Sequence, residues 1–184
     1  PNIPITTNTS GISLAEITEG MSEEYQSRFF GTHFFNPPRY MRLLEIIPHS
    51  GCDKEVINSL CTWISERLGK GIVYANDTVN FIANRVGVFA TQSTLKHMGD
   101  HNLNVETIDA LTGPLIGRAK SATMRTMDVV GLDTFSAVAA STAKKAPNDP
   151  YKEWFNGPQW ILDLIEKGHL GQKTSKKGAL PKSS

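Results

Sequence analysis

The chain changes character once, near Ala75, and this change limits its architecture more than any composition figure does. Before it, short β-rich runs alternate with helical ones; after it, only helical periodicities remain. Ile3-Pro4-Ile5-Thr6-Thr7 reads as a strand that runs out into the polar turn Asn8-Thr9-Ser10-Gly11. Ser13 is placed to cap a short helix from Leu14 to Glu19, and Ser22 opens another turn. Two strands follow, Arg28 to Phe35 and Met41 to Ile47, separated by Pro37-Pro38, which cannot donate to a sheet ladder. Asp53 starts a helix to Leu68 whose positions Val56, Ile57, Leu60, Cys61, Ile64 and Leu68 keep a 3.6-residue apolar period. Gly69 and Gly71 end it, and Gly71 to Ala75 gives one more strand.

From Asn76 onward, Asp77-Thr78 is expected to cap a long helix from Val79 to Met98 with Ile82, Val86, Phe89 and Ala90 on its buried face. Helices over Val105 to Leu111, Ala122 to Val129, Thr134 to Lys145 and Pro158 to Lys167 follow. The expected organisation is α/β over residues 1–75 and all-α over residues 76–184.

Several function classes drop out early. A net charge of +1 gives no basic footprint for a nucleic acid. Lys173, Lys176, Lys177 and Lys182 gather near the end, as a solvated tail or as a surface that meets an anionic ligand. Two cysteines, Cys52 and Cys61, make no disulfide framework and fit a reduced, cytoplasmic setting. No apolar run approaches the length of a membrane span. His97, His101 and His169 lack ligand spacing with Cys, Asp or Glu, so no metal site is expected.

The chemistry gathers elsewhere. His33, in Gly31-Thr32-His33-Phe34-Phe35-Asn36-Pro37, lies on one expected strand, and Glu45 follows on the next. Two neighbouring strands with that spacing would bring a carboxylate beside the imidazole. A carboxylate on one ring nitrogen fixes the tautomer and leaves the other nitrogen to exchange protons near neutral pH. A histidine in an apolar strand is also a common packing element. Ser10 stands where a strand runs out into a loop, the usual place for ligand contacts in open α/β sheets, although a turn serine often bonds its own backbone. Asn84 falls inside a helical pattern where asparagine has poor propensity, and off the face of Ile82, Val86 and Phe89.

With these pieces in place the chain resembles the L-3-hydroxyacyl-CoA dehydrogenase family of fatty-acid β-oxidation. The matching segments are Asn8-Thr9-Ser10, the His33 run with Glu45 twelve residues on, and the D-T-x-x-F-I-x-N-R pattern from Asp77 to Arg85. Leu111 to Arg118 and Met127 to Asp133 match as well, in a version closer to dehydrogenases fused to an enoyl-CoA hydratase, and Lys173-Thr174 matches the family's terminal K-T-G segment. The resemblance implies the C-terminal part of a Rossmann-type NAD-binding domain over residues 1–75, then a helical C-terminal and dimerisation domain over residues 76–184. It implies His33, Glu45, Ser10 and Asn84 as catalytic residues and Asn8, Ser10, Asn36 and Lys173 on the NAD side. An acyl-CoA substrate, a homodimer and a fused or associated hydratase are implied too. After Lys173-Thr174 the sequence departs from the family, with Ser175 to Leu180 where G-x-G-F-Y is usual.

The family opens with a strand, a G-x-G-x-x-G turn and a helix, and no such glycine run occurs in these residues. The chain is therefore expected to be a fragment lacking that half. A rival reading makes it a non-catalytic assembly and acyl-CoA-binding module. Another assigns it to Rossmann-plus-helical dehydrogenases of short hydroxy acids; those use a catalytic lysine, and the His33 and Glu45 pattern argues against them.

Overall fold

The computed structural model describes residues 3–175 and 178–180, so Lys176, Lys177 and Lys182 of the basic end lie outside the described residues. Chain contacts separate into two compact units, Pro1–Asn84 and Arg85–Ser184.

The first unit is a four-stranded sheet in the order β1 (Ile5–Thr7), β2 (Phe29–Phe34), β3 (Leu43–Ile47), β4 (Gly71–Tyr74). β1 runs parallel to β2 and β3 parallel to β4, while β2 and β3 are antiparallel. Parallel neighbours need a crossover. Helices α1 (Leu14–Thr18) and α2 (Glu23–Arg28) provide the first, and α3 (Lys54–Leu68) the second. Ser13, Ser22 and Asp53 cap these helices through side-chain oxygens, and Gly69 closes α3 in the left-handed conformation at φ 63°.

Side-chain alternation gives the sheet two different faces. Phe30, Leu44 and Ile46 pack with Val56, Ile57, Cys61 and Ile64 of α3. Phe29 and Ile47 point the other way and pack with Leu14, Ala75 and Phe81. His33 shares the parity of Phe29, and Glu45 that of Ile47. Both therefore belong to the second face, beside Phe81.

The long helix starts later than the sequence pattern suggests. α4 spans Ala83–Asp100, because Asn80 and Phe81 turn at φ 61° and 51° and break helical geometry. Asp77, expected to cap this helix, instead accepts hydrogen bonds from Ser13 and from the first turn of α1. Residues 76–84 thereby stay with the first unit. The apolar face expected from Ile82, Val86, Phe89 and Ala90 is not buried: Val86 is 62% exposed, Ile82 42% and Phe89 36%, and Ala90 is half-buried. The buried positions of α4 are Val88, Thr91, Gln92 and Leu95. Periodicity identifies an apolar stripe without saying what covers it.

The second unit contains the rest of α4 with α5 (Val105–Thr112), α6 (Met124–Val130), α7 (Leu132–Lys145) and α8 (Gln159–Glu166). Two 3₁₀ turns, Pro114–Ile116 and Lys152–Asn156, join them. Leu95, Ile108, Met124, Met127, Leu132 and Ile161 form its main core, and Val88, Ala139 and Phe155 a smaller one. The Asp109 carboxylate accepts the backbone N–H groups of Met124 and Arg125 and so serves the start of α6. Arg85 pairs with Asp149. Both cysteines are free thiols. Burial is the main cause of the raised pKa at each. Among the described residues no helix is long and apolar enough to cross a membrane.

Candidate active site

The antiparallel register of β2 and β3 sets His33 directly opposite Glu45, on the same face of the sheet. His33 Nδ1 lies 2.7 Å from Glu45 Oε2. A carboxylate offers only lone pairs, so Nδ1–H is the donor. Glu45 is fully buried and His33 is 5% exposed. The second carboxylate oxygen, Oε1, accepts the backbone N–H groups of Ile82 at 3.1 Å and Ala83 at 2.7 Å. These amides stand at the start of α4, where unpaired N–H groups and the helix dipole favour negative charge. Burial would otherwise penalise the charge, and three donors offset that cost.

The imidazole is also held by packing. Phe35 and Phe81 meet it edge-on, with ring centroids 4.6 and 5.4 Å away. With its proton committed at Nδ1, the ring presents a lone pair at Nε2, which makes no hydrogen bond among the described residues. A histidine with one nitrogen oriented by a buried carboxylate and the other available is equipped to accept and return a proton.

The other residues singled out in the sequence fall in different places. Asn8 follows β1, and its Oδ1 accepts the N–H of Phe34, the residue after His33, at 2.9 Å. That contact pins the end of β1 to the end of β2, and the side-chain amide nitrogen of Asn8 makes no hydrogen bond among the described residues. Ser10 lies two residues further on, half-buried in the loop. Asn36 is exposed just past β2. Asn84 occupies the second position of α4, next to the Ala83 amide that binds Glu45, and is half-buried. Lys173 belongs to the second unit, where its Nζ donates to Asp133 Oδ1 at 2.9 Å and Thr134 Oγ1 at 2.6 Å. That lysine bond is the first cause holding the Asp133 carboxyl below its ordinary pKa. No group of three or more His, Cys, Asp or Glu side chains suited to a metal ion occurs among the described residues.

Sequence reasoning missed the supports of the pair. Phe81 and the Ile82 and Ala83 amides sit in what reads as helix interior, and backbone donors leave no trace in residue identity. Asp77 reads as a cap for the helix it precedes rather than for one more than sixty residues upstream.

Comparison with known proteins identifies the family of both parts of the chain. Residues 1–78 match the model of the 3-hydroxyacyl-CoA dehydrogenase NAD binding domain, and residues 81–179 the model of the 3-hydroxyacyl-CoA dehydrogenase C-terminal domain. A Bacillus subtilis protein named "Probable 3-hydroxyacyl-CoA dehydrogenase" is 48% identical over 92% of this chain, which covers 21% of that protein. One of the same name from Deinococcus radiodurans is 43% identical over 92% of the chain and 48% of its own length. This chain thus spans about a fifth and about half of these two curated relatives. The crystal structure of (S)-3-hydroxybutyryl-CoA dehydrogenase PaaH1 from Ralstonia eutropha superposes with a TM-score of 0.80 at 25% identity, over 98% of this chain and 61% of that one. The expected fold is borne out: a Rossmann-type sheet portion followed by a helical C-terminal domain. The chain belongs to the 3-hydroxyacyl-CoA dehydrogenase family.

Proposed function

We propose that the full-length gene product carrying this chain oxidises L-3-hydroxyacyl-CoA to 3-oxoacyl-CoA with NAD, as a step of fatty-acid β-oxidation. The observation that carries this reading is the buried His33–Glu45 pair with Nε2 left available. His33 Nε2 takes the proton of the 3-hydroxyl group. Bound NAD supplies the acceptor for the hydride that leaves the same carbon. Glu45 holds the imidazole in the required tautomer and balances the cation that forms. Ser10 and Asn84 hold the substrate oxygens, by resemblance to the family pattern.

Residues present here suit the nicotinamide side of the cofactor. Asn8 and Asn36 stand at the carboxyl ends of the parallel strands β1 and β2, where open α/β sheets bind their ligands. The side-chain amide nitrogen of Asn8, without a partner among the described residues, suits this purpose. By resemblance Lys173 also serves the cofactor side, with Asp133 and Thr134 holding its ammonium in place. The helical unit forms the homodimer contact; apolar surface at Val86, Leu115, Ile116 and Val129 favours such an association. A cytoplasmic setting suits two free thiols. Fusion to, or association with, an enoyl-CoA hydratase completes the reading, on the resemblance of the 111–118 and 127–133 segments.

The test is His33→Ala in the full-length product. NADH formation from an L-3-hydroxyacyl-CoA should fall on the order of 10²–10⁴-fold while NADH binding persists. More than a tenth of parent turnover in the variant would remove His33 from the chemistry.

A further inference from the structure

We propose that Asp77 is a positioning residue of this site, whose single carboxylate sets the Ser10 loop against the support of the His33–Glu45 pair. The proposal rests on the reaction assigned above.

Asp77 lies in the turn after β4, and the segment it binds lies after β1. Its Oδ1 accepts the N–H of Leu14 at 3.0 Å; its Oδ2 accepts the Ser13 hydroxyl at 2.7 Å and the N–H of Ala15 at 3.1 Å. Three donors from three consecutive residues converge on one carboxylate more than sixty residues away in sequence. A cap from within α1 itself already exists, since Ser13 Oγ also accepts from Ala15 at 3.2 Å. The additional long-range clamp does more than finish a five-residue helix.

What the clamp joins is specific. On one side, Ser10 precedes Ser13 by three residues, in a loop stiffened by Thr7 Oγ1 accepting from Thr9 N–H and Thr9 Oγ1 accepting from Ile12 N–H. On the other side, the turn after Asp77 is closed by Phe81 N–H on Thr78 O at 3.0 Å. That turn delivers the Phe81 ring to His33 and the Ile82 and Ala83 amides to Glu45. Both arms are short and internally bonded, so a displacement at Asp77 moves Ser10 relative to the imidazole. A misplacement of about 1 Å in a catalytic constellation is worth on the order of 10²-fold in rate.

The chemistry of the variants is graded. Asp77→Ala loses all three acceptors. Asp77→Asn keeps one acceptor oxygen, and its NH₂ faces the Ala15 N–H, while the Ser13 hydroxyl can reverse to accept. Ser13→Ala removes one donor and leaves both backbone contacts.

The full-length product should show kcat reduced about 10- to 100-fold in Asp77→Ala, less in Asp77→Asn and least in Ser13→Ala. NADH affinity should stay within about threefold of the parent, a separation that general loss of fold would not produce. Hydrogen exchange should reveal the coupling directly: in Asp77→Asn, amides of residues 10–15 and of residues 80–83 lose protection together, with α3 unchanged. Parent-level kcat in a folded Asp77→Ala, or exchange confined to residues 13–15, would overturn the proposal. If the parent product fails to oxidise hydroxyacyl-CoA, the proposed reaction fails, and the exchange result alone then decides whether Asp77 couples the two segments.

Discussion

His33 and Glu45 face each other as a register pair across β2 and β3, so their 2.7 Å contact is fixed by the sheet rather than by a loop. A slip of one residue would send Glu45 to the face occupied by Leu44 and Ile46, among the apolar side chains of α3. The same register leaves both carboxylate oxygens within reach of donors, one on the ring and one on the amides of Ile82 and Ala83.

Substitutions at Glu45 should therefore separate chemistry from stability. In Glu45→Gln, the carbonyl oxygen can keep the two backbone donors while the NH₂ turns to His33. An NH₂ group forces Nδ1 to accept, which moves the ring proton to Nε2 and abolishes the base. Turnover in the full-length product should fall by about 10²-fold or more with the fold intact, measured by steady-state kinetics beside circular dichroism. Glu45→Ala strands three donors in a buried site and should cost on the order of 3 kcal/mol in urea unfolding. Equal stability losses in the two variants would show that the amide does not replace the carboxylate at Ile82 and Ala83.

How much of this was legible beforehand depended on how local each signal is. The strands carrying His33 and Glu45, the caps Ser13 and Asp53, and Gly69 after α3 follow from short-range rules and appear where the sequence puts them. The start of α4 does not. Asn80 and Phe81 adopt positive φ, and Phe81 packs on the sheet face, a tertiary preference that helix propensity does not contain. Ile82, Val86 and Phe89 mark an apolar stripe in the sequence, yet they lie open on this chain, because periodicity encodes a face and leaves its cover unspecified.

Gly171→Ala should destabilise the helical unit. Gly171 has φ 98°, and an added Cβ would overlap the carbonyl oxygen of Asp128. That carbonyl is held in place by the N–H of Gln172 at 2.9 Å, so it has little freedom to retreat. Backbone strain of this kind costs about 1–3 kcal/mol, before any clash. Thermal unfolding of the variant at parent-like temperature would show that the 170–174 turn relaxes freely.

Lys173→Ala should change how stability responds to acid. The Lys173 ammonium is the leading reason the Asp133 carboxyl titrates below its ordinary range. A depressed carboxyl pKa contributes stability that is present above the unfolded-state pKa and is lost as pH falls through the folded value. The parent should therefore exceed the variant in Tm near neutral pH, and the gap should close as the solution is taken below the usual carboxylate range. The pair is exposed, so the gap should be small and should shrink with added salt. A gap that persists in strong acid would point to the Thr134 hydrogen bond or to packing of the lysine stem instead of the ion pair.

The 184-residue chain alone should bind NADH weakly and show no dehydrogenase activity, despite its complete His33–Glu45 pair. Most dinucleotide affinity comes from pyrophosphate at a helix N-terminus behind a glycine turn, with an acidic residue on the ribose. No G-x-G-x-x-G run occurs in this sequence to supply that turn. Asn8 and Asn36 lie at strand ends where they can orient a nicotinamide ring, and Asn8 has already given its Oδ1 to Phe34. Such contacts place the ring without providing most of the binding energy. Titration of the purified chain with NADH, followed by fluorescence and calorimetry, should give a dissociation constant well above the micromolar range. A low-micromolar value would mean that these residues hold the cofactor by a route other than a glycine turn, and that the division of labour proposed for Asn8, Ser10 and Asn36 is wrong.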